Sequence, residues 1–187
     1  MIEKILEDSK ALLKGHFLLT SGRHSEFYVE KIKIINDPKY VEKLCDLLAE
    51  KLSNYDCDVI VGPAYGGIVL AYEVAKKLNK KFVFTQRKDE KMSIRSGFDI
   101  KKGDKAIIIE DIITTGGSVK EVIETLLNNQ IEVKAIGAIV DRSGGKVDFG
   151  YDLVALLTMN IESWEAKDCP LCKNNVSLVK PGASDKK

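Results

Sequence analysis

Residues 106–118 read Ala-Ile-Ile-Ile-Glu-Asp-Ile-Ile-Thr-Thr-Gly-Gly-Ser, and this stretch decides the fold that the sequence predicts. The apolar run 106–109 is rich in β-branched residues and too short for a helix, so it indicates a central parallel strand covered on both faces. Glu110 and Asp111 follow at the carboxyl end of that strand, where open α/β sheets bind their ligands. The stretch therefore predicts an α/β fold with a ligand site at this strand end.

The loop after the two acids has the composition of a phosphate-binding turn. Small hydroxyl residues and glycines occupy positions 114–118, directly before a predicted helix. Their backbone N–H groups and hydroxyls can hold a phosphate at the positive end of that helix. Glu110 and Asp111 suit neutral ribose hydroxyls instead, or Mg²⁺ reached through water, because like charges repel. An ordinary strand-to-helix turn with solvated acids is the alternative interpretation.

Length and charge restrict the function classes. The chain has 187 residues, which predicts a single domain over residues 1–187. Its 29 basic and 28 acidic residues give a net charge of +1, so no overall field favours a nucleic-acid or membrane partner. The sequence shows neither a signal-peptide pattern nor an apolar stretch of about 20 residues. We therefore expect a cytoplasmic protein with reduced cysteines.

Hydrophobic periodicity predicts a doubly wound, mainly parallel sheet with helices on both faces. An amphipathic helix is predicted over residues 2–13, and short extended segments at 17–20 and 27–30 indicate a flap within residues 15–37. Asp37 and Pro38 mark the start of the next helix. The remaining predicted elements are strand 58–62, helix 67–78, strand 81–85, strand 105–110, helix 117–129, strand 133–140 and strand 153–158.

The acidic strand end and its loop resemble the phosphoribosyl-pyrophosphate loop of the type I phosphoribosyltransferases. The Walker and Rossmann glycine patterns are both absent from the sequence. The resemblance implies Mg²⁺ held mainly by the substrate near Glu110 and Asp111, and it implies that these two residues and Lys91 are catalytic. The implied phosphoribosyl-pyrophosphate contacts are Tyr65, Arg87, Lys88, Lys91, Glu110, Asp111, Ile112, Ile113, Thr114, Thr115, Gly116, Gly117 and Ser118.

Two polar segments would complete such a site. Residues 62–67, Gly-Pro-Ala-Tyr-Gly-Gly, end another predicted strand, and their glycines allow a close backbone approach to a pyrophosphate. A plain Gly-Pro turn is the alternative. Residues 86–104 are too polar and too long for a tight turn, so we predict a mobile catalytic loop. Its cations can offset the charge that grows on a leaving pyrophosphate, although a solvated surface loop has the same composition.

Three further stretches narrow the resemblance to the orotate-using branch of that family. Residues 15–28 resemble its amino-terminal flap, 87–91 the head of its mobile loop, and 140–142 the strand end whose arginine meets orotate. The resemblance implies that Tyr28, Thr114 and Arg142 contact orotate. It also implies a homodimer with shared active sites, in which the loop cations clasp phosphates partly across the interface. A purine-type phosphoribosyltransferase and a non-catalytic sensor of phosphoribosyl pyrophosphate are the alternatives.

The chain departs from that family's pattern at three positions. Members carry two lysines and a histidine where this sequence has Thr20, Gly66 and Ser93. Arg95 is our candidate to replace part of the missing positive charge.

The remaining candidate site is a Cys-x-x-Cys pair, Cys169 and Cys172, in the tail 168–187. Its spacing suits zinc, but it provides only half of a tetrahedral site, and Cys45 and Cys57 lie in segments that do not complete it. We interpret the flap histidines, His16 and His24, as structural or solvated. We therefore expect reduced structural thiols and no stoichiometric metal.

Overall fold

The computed structural model describes residues 2–19 and 21–181, and its centre is a six-stranded sheet. The strands are β3 (Val59–Pro63), β4 (Lys81–Lys88), β5 (Lys91–Ile94), β6 (Lys105–Ile113), β7 (Glu132–Asp141) and β8 (Leu153–Thr158). Their order is β5-β4-β3-β6-β7-β8, and every neighbouring pair is parallel except β4 with β5. The predicted α/β fold with a mainly parallel sheet is confirmed.

Helices cover both faces of this sheet. On one face lie α1 (Ile2–Asp8), α2 (Ile32–Ile35), α3 (Pro38–Leu52) and α4 (Gly66–Leu78), and on the other lies α5 (Gly117–Asn128). Ile107 and Ile109 of β6 pack with α3 and α4, whereas Ile108 packs with α5. The apolar run is therefore buried on both sides, as predicted. Among the helices of the described residues, none combines the length and apolarity needed to span a membrane.

Two strands outside the main sheet form a separate hairpin, termed the hood. They are β1 (Leu12–Leu18) and β2 (His24–Val29), which pair antiparallel. The tail segment, residues 161–180, folds back onto the hood and contains the short helix α6 (Pro170–Lys173). Two isolated bridges join them, one between Phe17 and Val179 and one between His24 and Trp164. The tail segment therefore helps to hold the hood in place.

The structure corrects the prediction for the amino-terminal segment. The first helix ends at Asp8 instead of continuing to residue 13, because Lys10 adopts a left-handed backbone with φ 55°. Leu12 then pairs with Val29, so that the apolar pair at 12–13 belongs to β1. The flap strands consequently begin earlier than the predicted 17–20 and 27–30. Thr20, one of the three family departures, lies outside the described residues.

Residues 86–104 are not a continuous loop, which is a second correction. β4 continues to Lys88, and β5 returns antiparallel beside it after a two-residue turn. Asp89 and Glu90 form that turn with φ values of 50° and 64°, the signature of a type I′ hairpin. Polar side chains are compatible with an edge hairpin, because its backbone groups pair across the strands while the side chains face water.

β6 is longer than predicted. Its pairing with β7 continues to Ile113 opposite Asp141, so the strand does not end at residue 110. Glu110 and Asp111 therefore lie within the strand, and the ligand edge of the sheet begins after them.

The hairpin turn generates a stability prediction. Glu90→Gly should raise the free energy of unfolding by about 0.5–1 kcal/mol, because glycine tolerates the left-handed backbone that glutamate adopts at a penalty. Urea unfolding measures the change. Lys88→Gly, in the adjoining strand, is the matched control and should lower stability. A similar loss in both variants would show that position 90 does not lie in the turn.

Candidate functional site

The acidic pair lies on opposite faces of β6, because successive strand residues alternate. Asp111 is directed to the α4 side, where it contacts Gly66, and Glu110 to the α5 side, where it lines the recess of the following loop. Both side chains are buried, with exposed fractions of 6% and 7%. The neighbouring backbone orients them: Asp111 N–H donates to Glu110 Oε1 at 3.0 Å, and Ile112 N–H donates to Asp111 Oδ1 at 2.6 Å.

Burial determines the charge of this pair. Burial, with the nearby charge of Asp111, raises the pKa of Glu110 to about 8 from its ordinary 4.5. Burial therefore favours the protonated form of Glu110 in the ligand-free protein. Lys31 Nζ lies 3.0 Å from Asp111 Oδ2. Burial lowers the pKa of Lys31, but the charge and hydrogen bond of Asp111 outweigh it, and the net shift is upward.

Gly66, one of the positions where the chain departs from the family pattern, lies next to the ion pair between Lys31 and Asp111. A Cβ at position 66 would lie 1.7 Å from Asp111 Oδ2, so only glycine allows the carboxylate to occupy this place. The lysine that family members carry at this position is absent, and Lys31 brings an ammonium group to the same oxygen. Arg95 is exposed just beyond β5 at the edge of the sheet. Lys31 lies within the predicted flap 15–37, between β2 and α2, and no local pattern in the sequence marked it as a site residue.

The loop 114–118 forms a small recess at the beginning of α5. Glu110 and residues 112–119 line it, and its volume is about 70 Å³. The first N–H groups of α5 have no partner within the helix and are available to an anion here. Gly116 has φ 76°, and a Cβ there would lie 2.7 Å from Val147 and 2.8 Å from Phe149. The loop conformation thus depends on glycine at this position.

The loop 62–67 lies beside that recess, because β3 and β6 are neighbouring parallel strands that end at the same edge. A Cβ at Gly67 would lie 2.8 Å from the carbonyl oxygen of Ile109, so the loop packs directly against β6. The Ala64–Tyr65 peptide bond is cis. Tyr65 is 89% exposed and extends from this loop into solvent. The structure therefore brings the two predicted phosphate-binding loops together.

A larger cavity of about 330 Å³ separates the hood from the end of the sheet. It unites the three predicted orotate contacts, Tyr28, Thr114 and Arg142. Burial raises the pKa of Tyr28, and Glu30 adds to the shift. The other lining residues are Leu19, Ser21, Arg23, Thr115, Ile161 and Ser163. The last two show that the tail segment forms part of the wall, which the sequence did not indicate.

Arg142 is placed by its neighbour Asp141. The buried Asp141 carboxylate accepts the N–H groups of Ser143 at 2.8 Å and Gly145 at 2.9 Å, which turns the chain after β7. Arg142 N–H donates to the Ile113 carbonyl at 2.8 Å. Its Nε is buried and makes no hydrogen bond with the described residues, and burial lowers the pKa of the guanidinium. A half-buried guanidinium whose Nε has no partner among the described residues is suited to binding a planar anion at this cavity wall.

The predicted catalytic cations do not join this site within one chain. Arg87 forms two contacts with the Glu121 carboxylate of α5, at 2.8 and 3.0 Å. Lys88 and Lys91 are exposed beside the hairpin turn. Neither of the two cavities at the acidic strand end is lined by these three residues. The reason is the edge pairing of β5, which positions the hairpin along α5.

The tail cysteines are not half of an isolated site, which corrects a further sequence interpretation. Cys169 and Cys172 lie against His16 and His24 of the hood, and the four ligand atoms are within 4.8 Å of one another. The residues that complete the set come from the opposite end of the chain, so their spacing carried no signal.

Comparisons with known proteins agree with this geometry. The family described as "Phosphoribosyl transferase domain" matches residues 31–169. The orotate phosphoribosyltransferase of Caldicellulosiruptor bescii is 46% identical over 98% of this chain and 96% of its own length. The corresponding protein of Thermotoga maritima is 45% identical over 98% of both chains. The crystal structure of orotate phosphoribosyltransferase from Aeropyrum pernix superposes with a TM-score of 0.71 at 28% identity, covering 84% of this chain and 93% of that one.

The matched relatives extend along nearly the whole chain, and the family model covers residues 31–169. The chain therefore belongs to the orotate phosphoribosyltransferase family.

Proposed function

We propose that this chain transfers the phosphoribosyl group of 5-phosphoribosyl 1-pyrophosphate to orotate, forming orotidine 5′-monophosphate and pyrophosphate in UMP synthesis. The observation that carries the proposal is the unpaired Arg142 guanidinium in a cavity beside the loop 114–118. Orotate is a planar base that carries a carboxylate, and a bidentate guanidinium contact matches that group.

The sugar phosphate would lie along the end of β6. Its 5′-phosphate fits the recess at 114–118, where N–H groups of α5 point at the anion. The ribose hydroxyls then reach Glu110 and Asp111 as hydrogen-bond donors. The pyrophosphate extends to the loop 62–67, whose glycines permit close approach of the backbone. In this placement, each phosphate lies against backbone N–H donors and the ribose hydroxyls lie against carboxylate acceptors.

Orotate would enter the cavity between the hood and the sheet. Its carboxylate binds Arg142, while Tyr28 and Thr114 border the ring. A ring nitrogen attacks C1′ as the pyrophosphate departs, through an oxocarbenium-like centre similar to that of glycosyl transfer. As the bond between this nitrogen and C1′ forms and the bond from C1′ to the pyrophosphate oxygen breaks, the N–H proton of the ring leaves, and the departing pyrophosphate can accept it. The protein's main tasks are to position both substrates and to exclude water from C1′.

Mg²⁺ fits the donor chemistry of this edge. Glu110 and Asp111 provide the hard oxygen atoms that the ion prefers. Lys31 already lies 3.0 Å from Asp111 Oδ2, so few protein ligands remain, in keeping with an ion held mainly by the substrate. When bound, Mg²⁺ would neutralise charge on the departing pyrophosphate.

A homodimer would supply the missing cations. Ile32, Val69 and Tyr72 have exposed fractions of 60%, 40% and 58%, although they are apolar or aromatic. Val69 and Tyr72 are three residues apart on α4 and therefore share a face. A groove of about 290 Å³ continues this surface between α3 and α4. Such a surface supports pairing with a second copy, whose Lys88 and Lys91 could then reach the pyrophosphate.

Base specificity tests the proposal. Orotate should be consumed, while uracil should react roughly 10⁴- to 10⁵-fold less efficiently, because a site built for a carboxylate rejects a base that lacks it. Arg142→Ala should raise the orotate KM strongly and leave phosphoribosyl-pyrophosphate binding nearly unchanged. Arg142→Lys should recover little, since lysine lacks the planar fork. Pyrophosphate release is the assay, and Lys51→Ala, which removes an exposed cation in the last turn of α3, is the control.

Two results would contradict the assignment. Turnover of adenine, guanine or hypoxanthine would indicate a purine-type enzyme of the same fold. Binding of phosphoribosyl pyrophosphate without turnover of any base would indicate a regulator.

The raised pKa of Glu110 predicts proton release. The ribose hydroxyls favour the ionised carboxylate, so substrate binding near pH 7 should expel up to one proton, and the release should fade above a pH of about 8. Calorimetry in buffers of different ionisation enthalpy measures it. Glu110→Gln should release fewer protons under the same conditions. Equal release from both proteins would assign the proton to another group.

The raised pKa of Glu110 also determines whether the stability of the folded protein rises or falls with pH. The folded protein binds a proton that the unfolded chain has lost between pH values of about 4.5 and about 8. Stability of the ligand-free protein should therefore decline across that window as pH rises. Glu110→Gln should flatten the decline in thermal unfolding.

Sharing of sites between subunits can be tested by complementation. Lys91→Ala should lower the catalytic rate by about 10²- to 10³-fold, as for loss of one preorganised electrostatic donor. Mixed with Asp111→Asn protein, it should regain part of the activity, because one site of the heterodimer then contains both native residues. Lys51→Ala, which removes an exposed lysine in the last turn of α3, is the control. No recovery after verified subunit exchange would assign Lys91 to its own subunit's site.

A further inference from the structure

Four metal-binding side chains converge where the tail segment crosses the hood. His16 comes from β1, His24 from β2, Cys169 from the residue before α6, and Cys172 from α6 itself. His16, His24 and Cys169 are buried, and Cys172 is half-buried. The cluster lies outside both cavities assigned to the substrates. We propose that these four residues bind one structural zinc ion.

The hydrogen bonding of His16 leaves one nitrogen for the metal. Its Nδ1 lies 2.8 Å from the Val176 carbonyl oxygen, so Nδ1 carries the proton and donates it. Nε2 then presents a single lone pair. Metal-binding histidines usually have this arrangement, because the second hydrogen bond fixes the tautomer and the ring orientation.

Three other ligand atoms crowd that lone pair. His24 Nδ1 lies 2.9 Å from His16 Nε2, while the sulfurs of Cys169 and Cys172 lie 3.5 and 3.7 Å from it. Cys172 Sγ is also 3.2 Å from His24 Nδ1. One lone pair can accept one good hydrogen bond, so three neighbours cannot all be satisfied by it. A cation at the centre satisfies every one of them.

The separations match a tetrahedral zinc site. Zinc–nitrogen and zinc–sulfur bonds of ordinary length place a nitrogen and a sulfur about 3.6 Å apart and two nitrogens about 3.3 Å apart. The three observed nitrogen–sulfur distances lie between 3.2 and 3.7 Å. The nitrogen pair at 2.9 Å needs to open by only a few tenths of an ångström.

The ligand set also favours zinc over other divalent ions. Two sulfurs and two imidazole nitrogens at tetrahedral spacing are typical of zinc. Binding would convert both thiols to thiolates and release two protons, after which Zn²⁺ and the two thiolates have no net charge. A neutral complex suits a buried position, where an isolated charge is strongly disfavoured.

The topology explains why the histidine spacing differs from that of helical zinc sites. His24 pairs with Leu18, two residues from His16, so both rings lie on one face of the hairpin. Their centroids are 4.9 Å apart. The Cys-x-x-Cys pair then approaches this face from the tail segment, whose Val179 N–H donates to the His16 carbonyl at 2.8 Å. The ion would link the two ends of the chain where the hood is formed.

The test is independent of enzymatic activity. Protein produced in zinc-supplemented, reducing medium and purified without chelators should contain about one zinc per chain. X-ray absorption at the zinc edge should show two sulfurs and two nitrogens at about 2.3 and 2.0 Å. Chelation should lower the unfolding temperature by about 5 °C or more, and added Zn²⁺ should restore it.

Variants identify the ligands. Cys172→Ser and His24→Asn should lose most of the zinc, whereas Cys57→Ala, which removes a buried thiol outside the cluster, should retain it. If the ligand variants do not fold, the wild-type metal content and absorption spectrum decide alone. Three results would overturn the proposal: wild-type protein with no zinc after exposure to Zn²⁺ under reducing conditions, zinc without sulfur ligands, or a Cys169–Cys172 disulfide in the purified protein.

Discussion

The burial of β6 on both faces is the constraint on which the rest of the site depends. Ile107 and Ile109 face α3 and α4, Ile108 faces α5, and all three are fully buried. A strand clamped in this way cannot shift register without moving its whole apolar set out of the core. The next two residues, Glu110 and Asp111, are consequently held in water-poor surroundings that would not otherwise accept carboxylates. The core thus determines the protonation state of Glu110.

The charge balance at this edge is unlike the pattern that the family suggests. Position 66 has glycine instead of a positively charged residue. Because glycine has no side chain, the Asp111 carboxylate can approach the backbone of the loop 62–67. Lys31, placed between the hood and α2, contributes the cation from another direction. Lys31 lies between β2 of the hood and α2, so a residue next to the hood contributes charge to the acidic pair. Lys31 therefore supplies positive charge at Asp111 although position 66 carries none.

The sequence predicted the parts of the structure that depend on local pattern. The run 106–118 identified the central strand, its acidic pair and the turn that begins α5. Asp37 marked the start of α3, where its carboxylate accepts the Lys39 N–H. Segments with conflicting local signals were misread. Leu12 and Leu13 continue a helical stripe but pair as a strand, and the polar residues 86–94 resemble a loop but satisfy their backbone across a hairpin.

Contacts between segments that are far apart in sequence could not be predicted from local sequence patterns. Ser163 lines the cavity between the hood and the sheet, and Cys169 and Cys172 lie beside His16. All three residues belong to the tail segment, so their positions depend on how that segment crosses the hood. Asp141 was visible next to Arg142, but its role in turning the chain required the structure.

The crossing of the tail segment over the hood has a consequence for the order of folding. Cys169 and His16 meet across 153 positions, whereas the strands of the central sheet pair with segments much nearer in sequence. On the ribosome, the amino-terminal hairpin emerges first but finds its partner only after every strand of the central sheet has been synthesised. Contacts of such high sequence separation form slowly. The hood is therefore the last part to mature, and a nascent chain has a finished sheet before it has a finished substrate pocket.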